Sequence, residues 1–191
     1  MMSSKNFKIF LKYFLFTLLF FTFCAFQTSF WNVLIDFAPA PQIWLIFLVF
    51  IFLKWPGSTT IFYAYFLGYI LTLFSLMPLK MSWLSLLGLY GFVWIFKNRI
   101  HSASLFLFSV LCAAASVFYS TFYILLSYSL EKKMTPFLLI DRILEAGITF
   151  LVSSIIYLIL DFFNRRLITA ETWTSKNTDI HANLNSHLGE L

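Results

Sequence analysis

PFLLIDRILEAGITFLVSSIIYLIL, residues 136–160, is an apolar run with Asp141, Arg142 and Glu145 in its first third. A membrane-crossing helix needs about 20 predominantly apolar residues, so the run is long enough. A charged side chain at the centre of such a helix costs about 2.5–3.5 kcal/mol on insertion scales, less near the edge. Measured from Pro136 at ~1.5 Å per residue, Asp141 lies about 7–8 Å and Glu145 about 13–14 Å along the axis. With about 6 Å of this long helix in the interface, Asp141 falls near the hydrocarbon edge and Glu145 inside it. Glu145 must be paired or sheltered. Arg142 can extend to the headgroups and, three residues before Glu145, can pair with it. The three charges read as an interfacial ion pair held within a bundle, as ligand contacts, or as a contact for a partner.

Composition fixes the solvent. The chain has 191 residues, 61% hydrophobic and 11% charged, with 26 Phe. Soluble domains carry about 25% charged residues. The net charge of +5 is spread over short breaks between apolar runs, as membrane topology requires, and does not form the basic surface that nucleic acid needs. Cys24 and Cys112 both lie inside apolar runs and read as small hydrophobes. The basic-then-apolar start, MMSSKNFKIFLKYFLFTLLFFTF, resembles a signal peptide. It reads instead as a retained first helix, because the apolar run continues to Trp31 without a small-x-small cleavage site.

Working outward from 136–160, six apolar segments appear: 13–31, 41–55, 60–79, 81–96, 103–130 and 136–163. The expected fold is all-α, a polytopic bundle of six transmembrane helices occupying residues 1–166. The polar stretch 167–191 is expected to be a mobile cytoplasmic tail, with His181 and His187 solvated rather than ligating. Turn chemistry marks the breaks: APAP at 38–41, KWPGS at 54–58, MPLK at 77–80, KNRIH at 97–101 and EKKMTP at 131–136. Thr135-Pro136 suits the start of the last helix, with Thr as N-cap and Pro at the first position. Asp161, four before Arg165, reads as a helix-end ion pair.

Orientation follows the basic residues. With a cytoplasmic N-terminus, the inside segments hold Lys5, Lys8, Lys12, Lys54, Lys97, Arg99, Arg165, Arg166 and Lys176. The outside holds Lys80, Lys132, Lys133 and Arg142. This asymmetry places both termini in the cytoplasm.

The sequence offers little for catalysis. His101 lies in a break and the other two histidines in the tail, so no nucleophile has an intramembrane base. No metalloprotease motif or phosphate loop is present, and no cofactor or metal is expected. Small residues are more informative. Ser109, Cys112, Ala113, Ser116 and Ser120 form a smooth patch on the fifth segment, and Gly88 and Gly91 continue a three-residue repeat with Ser82 and Ser85 on the fourth. Such patches let helices approach closely in lipid, either within the bundle or against a partner's helix.

Two stretches carry a family resemblance. PQIWLIFLVFIFLKWPG (41–57) is a Pro-led short apolar helix ending in a basic-Pro turn, and GYILTLFSLMPLKMSWLSLLGLYGF (68–92) is a glycine-led helix running into the next. Over residues 39–96 the chain resembles the rod shape-determining MreD family. Its length, its six segments and the Pro before the last helix agree with this. The family often has Asp four residues after that glycine and then two further glycines. Here those positions are Thr72, Leu76 and Lys80. The resemblance implies a non-enzymatic protein of the bacterial inner membrane within the cell-elongation complex. Its implied partner is an MreC-like single-span protein, linked indirectly to an MreB-like filament and to a peptidoglycan polymerase and transpeptidase. Membrane lipids surround it, and no nucleic acid is involved. The alternative is a substrate-binding membrane subunit of an energy-coupling-factor type vitamin importer, in which Asp141, Arg142 and Glu145 would touch ligand. Against it, the outer loops are short and the candidate polar cluster sits on one helix, where convergence from several helices is expected.

Overall fold

The computed structural model describes residues 4–34, 39–75, 78–97, 104–131 and 139–188, with backbone alone for 4–9, 30, 32, 34, 58, 131 and 167–188. These residues are helical apart from short connections. The elements are α1 (Ser4–Ala25), a π-helical turn (Phe26–Phe30), α2 (Trp31–Leu34), α3 (Ile43–Lys54), α4 (Gly57–Phe74), α5 (Leu79–Lys97), α6 (Leu105–Glu131) and α7 (Leu139–Leu188). The π turn is flanked by residues in helical conformation, so α1 runs through it into α2. Long runs of Leu, Phe, Ile and Val without internal proline account for the helices, since in hydrocarbon every backbone polar group must be satisfied within its own segment.

The architecture is a ring of helices around α3. Leu45 through Ile51 are completely buried, and Ile43, Trp44 and Phe52 nearly so. A helix that is apolar on every side belongs at the centre of a bundle. The packed neighbours of α3 are α1, α4, α5, α6 and α7. Aromatic rings fill the seams. Phe47 packs on Phe16 and Phe20 of α1, Phe50 on Phe108 of α6 and Tyr157 of α7, and Phe52 on Tyr90 of α5. The outer helices direct large apolar side chains outward, among them Phe14, Phe62, Trp94, Phe106, Ile140 and Leu151. Large apolar side chains turned outward on several helices suit a lipid surrounding.

Among the described residues, four helices are long and apolar enough to cross a membrane: Phe10–Ser29, Leu79–Lys97, Leu105–Leu130 and Leu139–Arg166. The remaining two expected spans form shorter helices, Ile43–Lys54 and Thr59–Phe74. The first is short because Pro39 and Pro41 hold the preceding chain out of helix. Gln42 (φ −78°, ψ 69°) is the centre of an inverse γ-turn closed by Ile43 N–H on Pro41 O at 2.8 Å. The 12 residues of α3 reach about 18 Å at ~1.5 Å each. Residues 39–42 can add at most about 13 Å at ~3.3 Å each, which together approach the ~30 Å of a hydrocarbon core.

Helices consecutive in the chain run antiparallel, so α5 and α7 run parallel to α3. At one end, Lys12 of α1, the last turn of α3, Lys97 of α5 and the 157–165 region of α7 come together. At the other end, the π turn meets the start of α3 and the first turns of α7. The polar stretch expected to be a tail is part of α7, which continues as helix to Leu188. No Pro or Gly occurs from Leu167 until Gly189, so nothing in the covalent chain stops it. The expected Thr135-Pro136 start lies outside the described residues.

Candidate functional site

The non-helical stretch Pro39–Gln42 at the head of the buried α3 leads to the site. Non-helical backbone in apolar surroundings survives only when buried in protein with its donors and acceptors met. Both conditions hold at Pro41 and Gln42, whose carbonyls accept from Ile43 N–H and from Leu45 and Ile46 N–H. Pro41 and Gln42 are buried, and the two prolines have no N–H to satisfy. Gln42 N–H donates to Thr149 Oγ1 at 3.1 Å, and Ile43 N–H donates to Gln27 Oε1 at 3.0 Å. Gln27 lies in the π turn, where Trp31 N–H bonds to Phe26 O. The extra residue of such a bulge re-aims side chains, which is why π turns recur at functional positions.

Glu145 completes the junction. Its Oε1 accepts from Gln42 Nε2 at 2.7 Å, and its Oε2 accepts from Arg142 Nη1 at 2.6 Å. Both lengths are typical of charge-assisted bonds. The Glu145 side chain is only 12% exposed, whereas that of Arg142 is 43% exposed. The carboxylate also lies beside the first turn of α3, where the helix dipole favours negative charge. Thr149, one turn beyond Glu145, shares its face, so Asp141, Glu145 and Thr149 form a ladder down α7. Asp141 is exposed and bonds to none of the described residues. Of the three charges picked out in the sequence, the fold thus joins Arg142 and Glu145 and leaves Asp141 outside.

Gln27, Gln42 and Thr149 are the residues that the sequence reading missed. The signal was present for two of them. Gln42 follows Pro41 at the head of an otherwise apolar helix, and Thr149 is four residues after a carboxylate that needs company. Gln27 is found only through its contact with Ile43. Gln42 Oε1 is buried without a hydrogen-bond partner among the described residues. Turning the amide over would aim that oxygen at the Glu145 carboxylate, so the observed orientation is the favourable one.

At the opposite end α3 is capped by charge of the other sign. Lys97 Nζ donates to Phe52 O at 2.9 Å and to Trp55 O at 2.7 Å. A lysine on the last carbonyls suits the negative end of the dipole. Asp161 and Arg165 form their helix-end pair at 2.7 Å.

The small-residue patch is divided among contacts. Ser109 bonds Ser154 of α7 at 2.9 Å and its own Leu105 carbonyl at 3.1 Å. Cys112, Ser116 and Ser120 are buried, while Ala113 is half-buried. A Cβ on Gly88 would collide with the Phe122 ring of α6, so this glycine is a close approach between helices. A Cβ on Gly91 would meet nothing within 4 Å, and its three-residue spacing does not bring it to a neighbour. Thr72, standing where the resembled family has Asp, donates to Tyr69 O at 2.7 Å within its own helix. Lys80 is exposed, and Leu76 lies outside the described residues. Among the described residues, no three His, Cys, Asp or Glu side chains gather as a metal site. No family model, curated protein or solved structure matches the chain.

Proposed function

We propose that this chain is a six-span scaffold of a bacterial inner membrane, with both termini cytoplasmic, that acts without catalysis in the cell-elongation complex as MreD-like proteins do. In this reading it holds an MreC-like single-span partner. Through that partner it organises an MreB-like filament and the peptidoglycan polymerase and transpeptidase. The observation that carries the reading is the fixing of α3 at both ends by side chains of other helices. Gln27, Glu145 and Thr149 hold its start, and Lys97 holds its finish. A rigid central post with an outer ring of lipid-facing helices suits a protein whose work is to present helix faces. The stretch of resemblance, 39–96, supplies that post together with α4 and most of α5. The gathering of Lys12, Lys54 and Lys97 at one end, beside Arg165, supports the cytoplasmic orientation of that end.

One observation favours the importer as a second reading. Polar groups do converge from several elements, since Gln27, Gln42 and Glu145 come from three of them. The uncoupled Gln42 oxygen would suit a ligand's donor group.

Depletion separates the two. The scaffold reading expects rod-shaped cells to round and widen, and expects an MreC-like protein to co-purify with the tagged chain. Normal shape together with a vitamin requirement would replace it with the importer. Topology is checked separately: reporters fused after Lys133 and after Arg166 should lie on opposite sides of the membrane, and a shared side would refute six spans.

A further inference from the structure

We propose that copies of this chain associate side by side in the membrane, the outward face of α5 in one copy against the outward face of α7 in the next. Each face carries a charge without a partner. Lys80 in the first turn of α5 and Asp141 in the first turn of α7 are both exposed. Among the described residues the ion pairs are Arg142–Glu145 and Asp161–Arg165, and neither Lys80 nor Asp141 takes part. The two helices run parallel, and their charges stand at one level. At ~1.5 Å per residue, Lys80 lies about 26 Å before Lys97, and Asp141 about 24 Å before Tyr157. Lys97 bonds the last turn of α3, while Tyr157 packs on Phe50 of the same helix and lies under the Lys54 ammonium. Two copies inserted the same way therefore hold Lys80 and Asp141 at the same depth.

The apolar parts of the two faces match in the same register. Gly91 and Gly147 lie within helices, and a Cβ on either would meet nothing within 4 Å. Glycine is a poor helix former, and no neighbour within the chain requires it at these two positions, unlike at Gly88. With Lys80 level with Asp141, Leu87 falls about 10 Å below the charges on α5 and Gly147 about 9 Å below them on α7. Leu151 falls about 15 Å below them on α7 and Gly91 about 16 Å on α5. Each exposed leucine thus meets the other helix at its glycine, the kind of close approach by which helices associate in lipid. Lys80, Leu87 and Gly91 share one side of α5. Gly147 and Leu151 share one side of α7, and Asp141 stands at its border, within reach of a lysine's flexible stem.

The charges also decide between pairings. A two-fold dimer through α7 would set Asp141 against Asp141, and one through α5 would set Lys80 against Lys80. Like charges across an interface oppose association. Headgroup phosphates would answer Lys80 but repel Asp141. Unlike faces that meet in this way repeat from copy to copy, as a ring or an open row in the membrane plane. The proposal rests on the chain lying in a bilayer with its copies inserted the same way, not on any role in cell elongation.

The test uses two differently tagged versions of the full chain, one with Leu87→Cys and the other with Gly147→Cys, co-expressed and oxidised in their membranes. The native Cys24 and Cys112 are buried and stay in both. The mixed pair should form a disulfide-linked dimer. Either version expressed alone should form almost none, because like faces do not meet and a disulfide needs Cα atoms within about 7 Å. Reversing one charge in both versions, by Lys80→Glu or by Asp141→Lys, should cut the linked fraction about tenfold, and reversing both should restore it. All four positions face outward, so the amount of chain in the membrane should not change. Absence of the mixed product would overturn the proposal, as would equal linkage within one version alone. A double reversal no better than the single ones would do the same.

Discussion

Replacing Gln42 and Glu145 should show that the two act as one unit. Glu145→Leu removes the acceptor 2.7 Å from Gln42 Nε2 and leaves the whole amide buried with neither end bonded. An orphaned buried polar group costs about 1–3 kcal/mol, and the lost charge-assisted bond about 1.5–3 kcal/mol in gross terms. Arg142, with its side chain 43% exposed, can turn its guanidinium to the headgroups and adds little. The single change should therefore cost about 2–4 kcal/mol. Gln42→Leu costs less, about 1 kcal/mol, because it also removes an oxygen that has no partner and leaves Glu145 bonded to Arg142. The double replacement brings two leucines together in a dry site. It should be less damaging than Glu145→Leu alone, with a compensating coupling of about 1–2 kcal/mol. Unfolding free energies of the four proteins, from dodecyl sulfate titration in mixed micelles, give the cycle directly. Additivity within ~0.5 kcal/mol would show that the contact does not hold α3 to α7.

Lys97→Met strips two bonds from the last carbonyls of α3 and should lower stability by about 1.5–3 kcal/mol, whereas the exposed Lys54→Gln should change it by less than about 0.5 kcal/mol on the same titration. Gly88→Ala drives a methyl into Phe122 and should cost about 1–3 kcal/mol, while Gly91→Ala, in open space, should gain up to about 1 kcal/mol from helix propensity; the opposite order of melting temperatures would refute the α5–α6 packing. Ser109→Ala removes the bond to Ser154 and should cost about 0.6 kcal/mol, with no further loss when Ser154→Ala is added.

The reading of 136–160 shows how far local pattern reaches. That Glu145 needs a partner follows from the cost of a charge in hydrocarbon, and that Arg142 can supply one follows from the three-residue helical spacing, so the pair is legible without a fold. Its second bond is not. Gln42 is 103 positions away in the chain, and no periodicity links it to Glu145. The Asp161–Arg165 pair was legible for the same local reason. Gly88 and Gly91 looked equivalent because spacing describes a helix face but not the neighbour that covers it. Phe122 covers one, and open space lies beside the other.

By itself, the sequence determined the solvent, the helical class and the places where helices break, because hydropathy, Pro and Gly act over a few residues and need no tertiary partner. It also marked the second apolar segment as short, through Pro39, Pro41 and the Lys54–Gly57 turn. Only the tertiary structure decided that this short segment is the central post, since every apolar helix in the chain has the composition to be buried and only the packing chooses which one lipid never touches. The same holds for the polar groups at its two ends. Gln27, Thr149 and Lys97 are ordinary residues on their own helices, and they become caps of α3 only because the bundle sets them beside backbone that no water reaches.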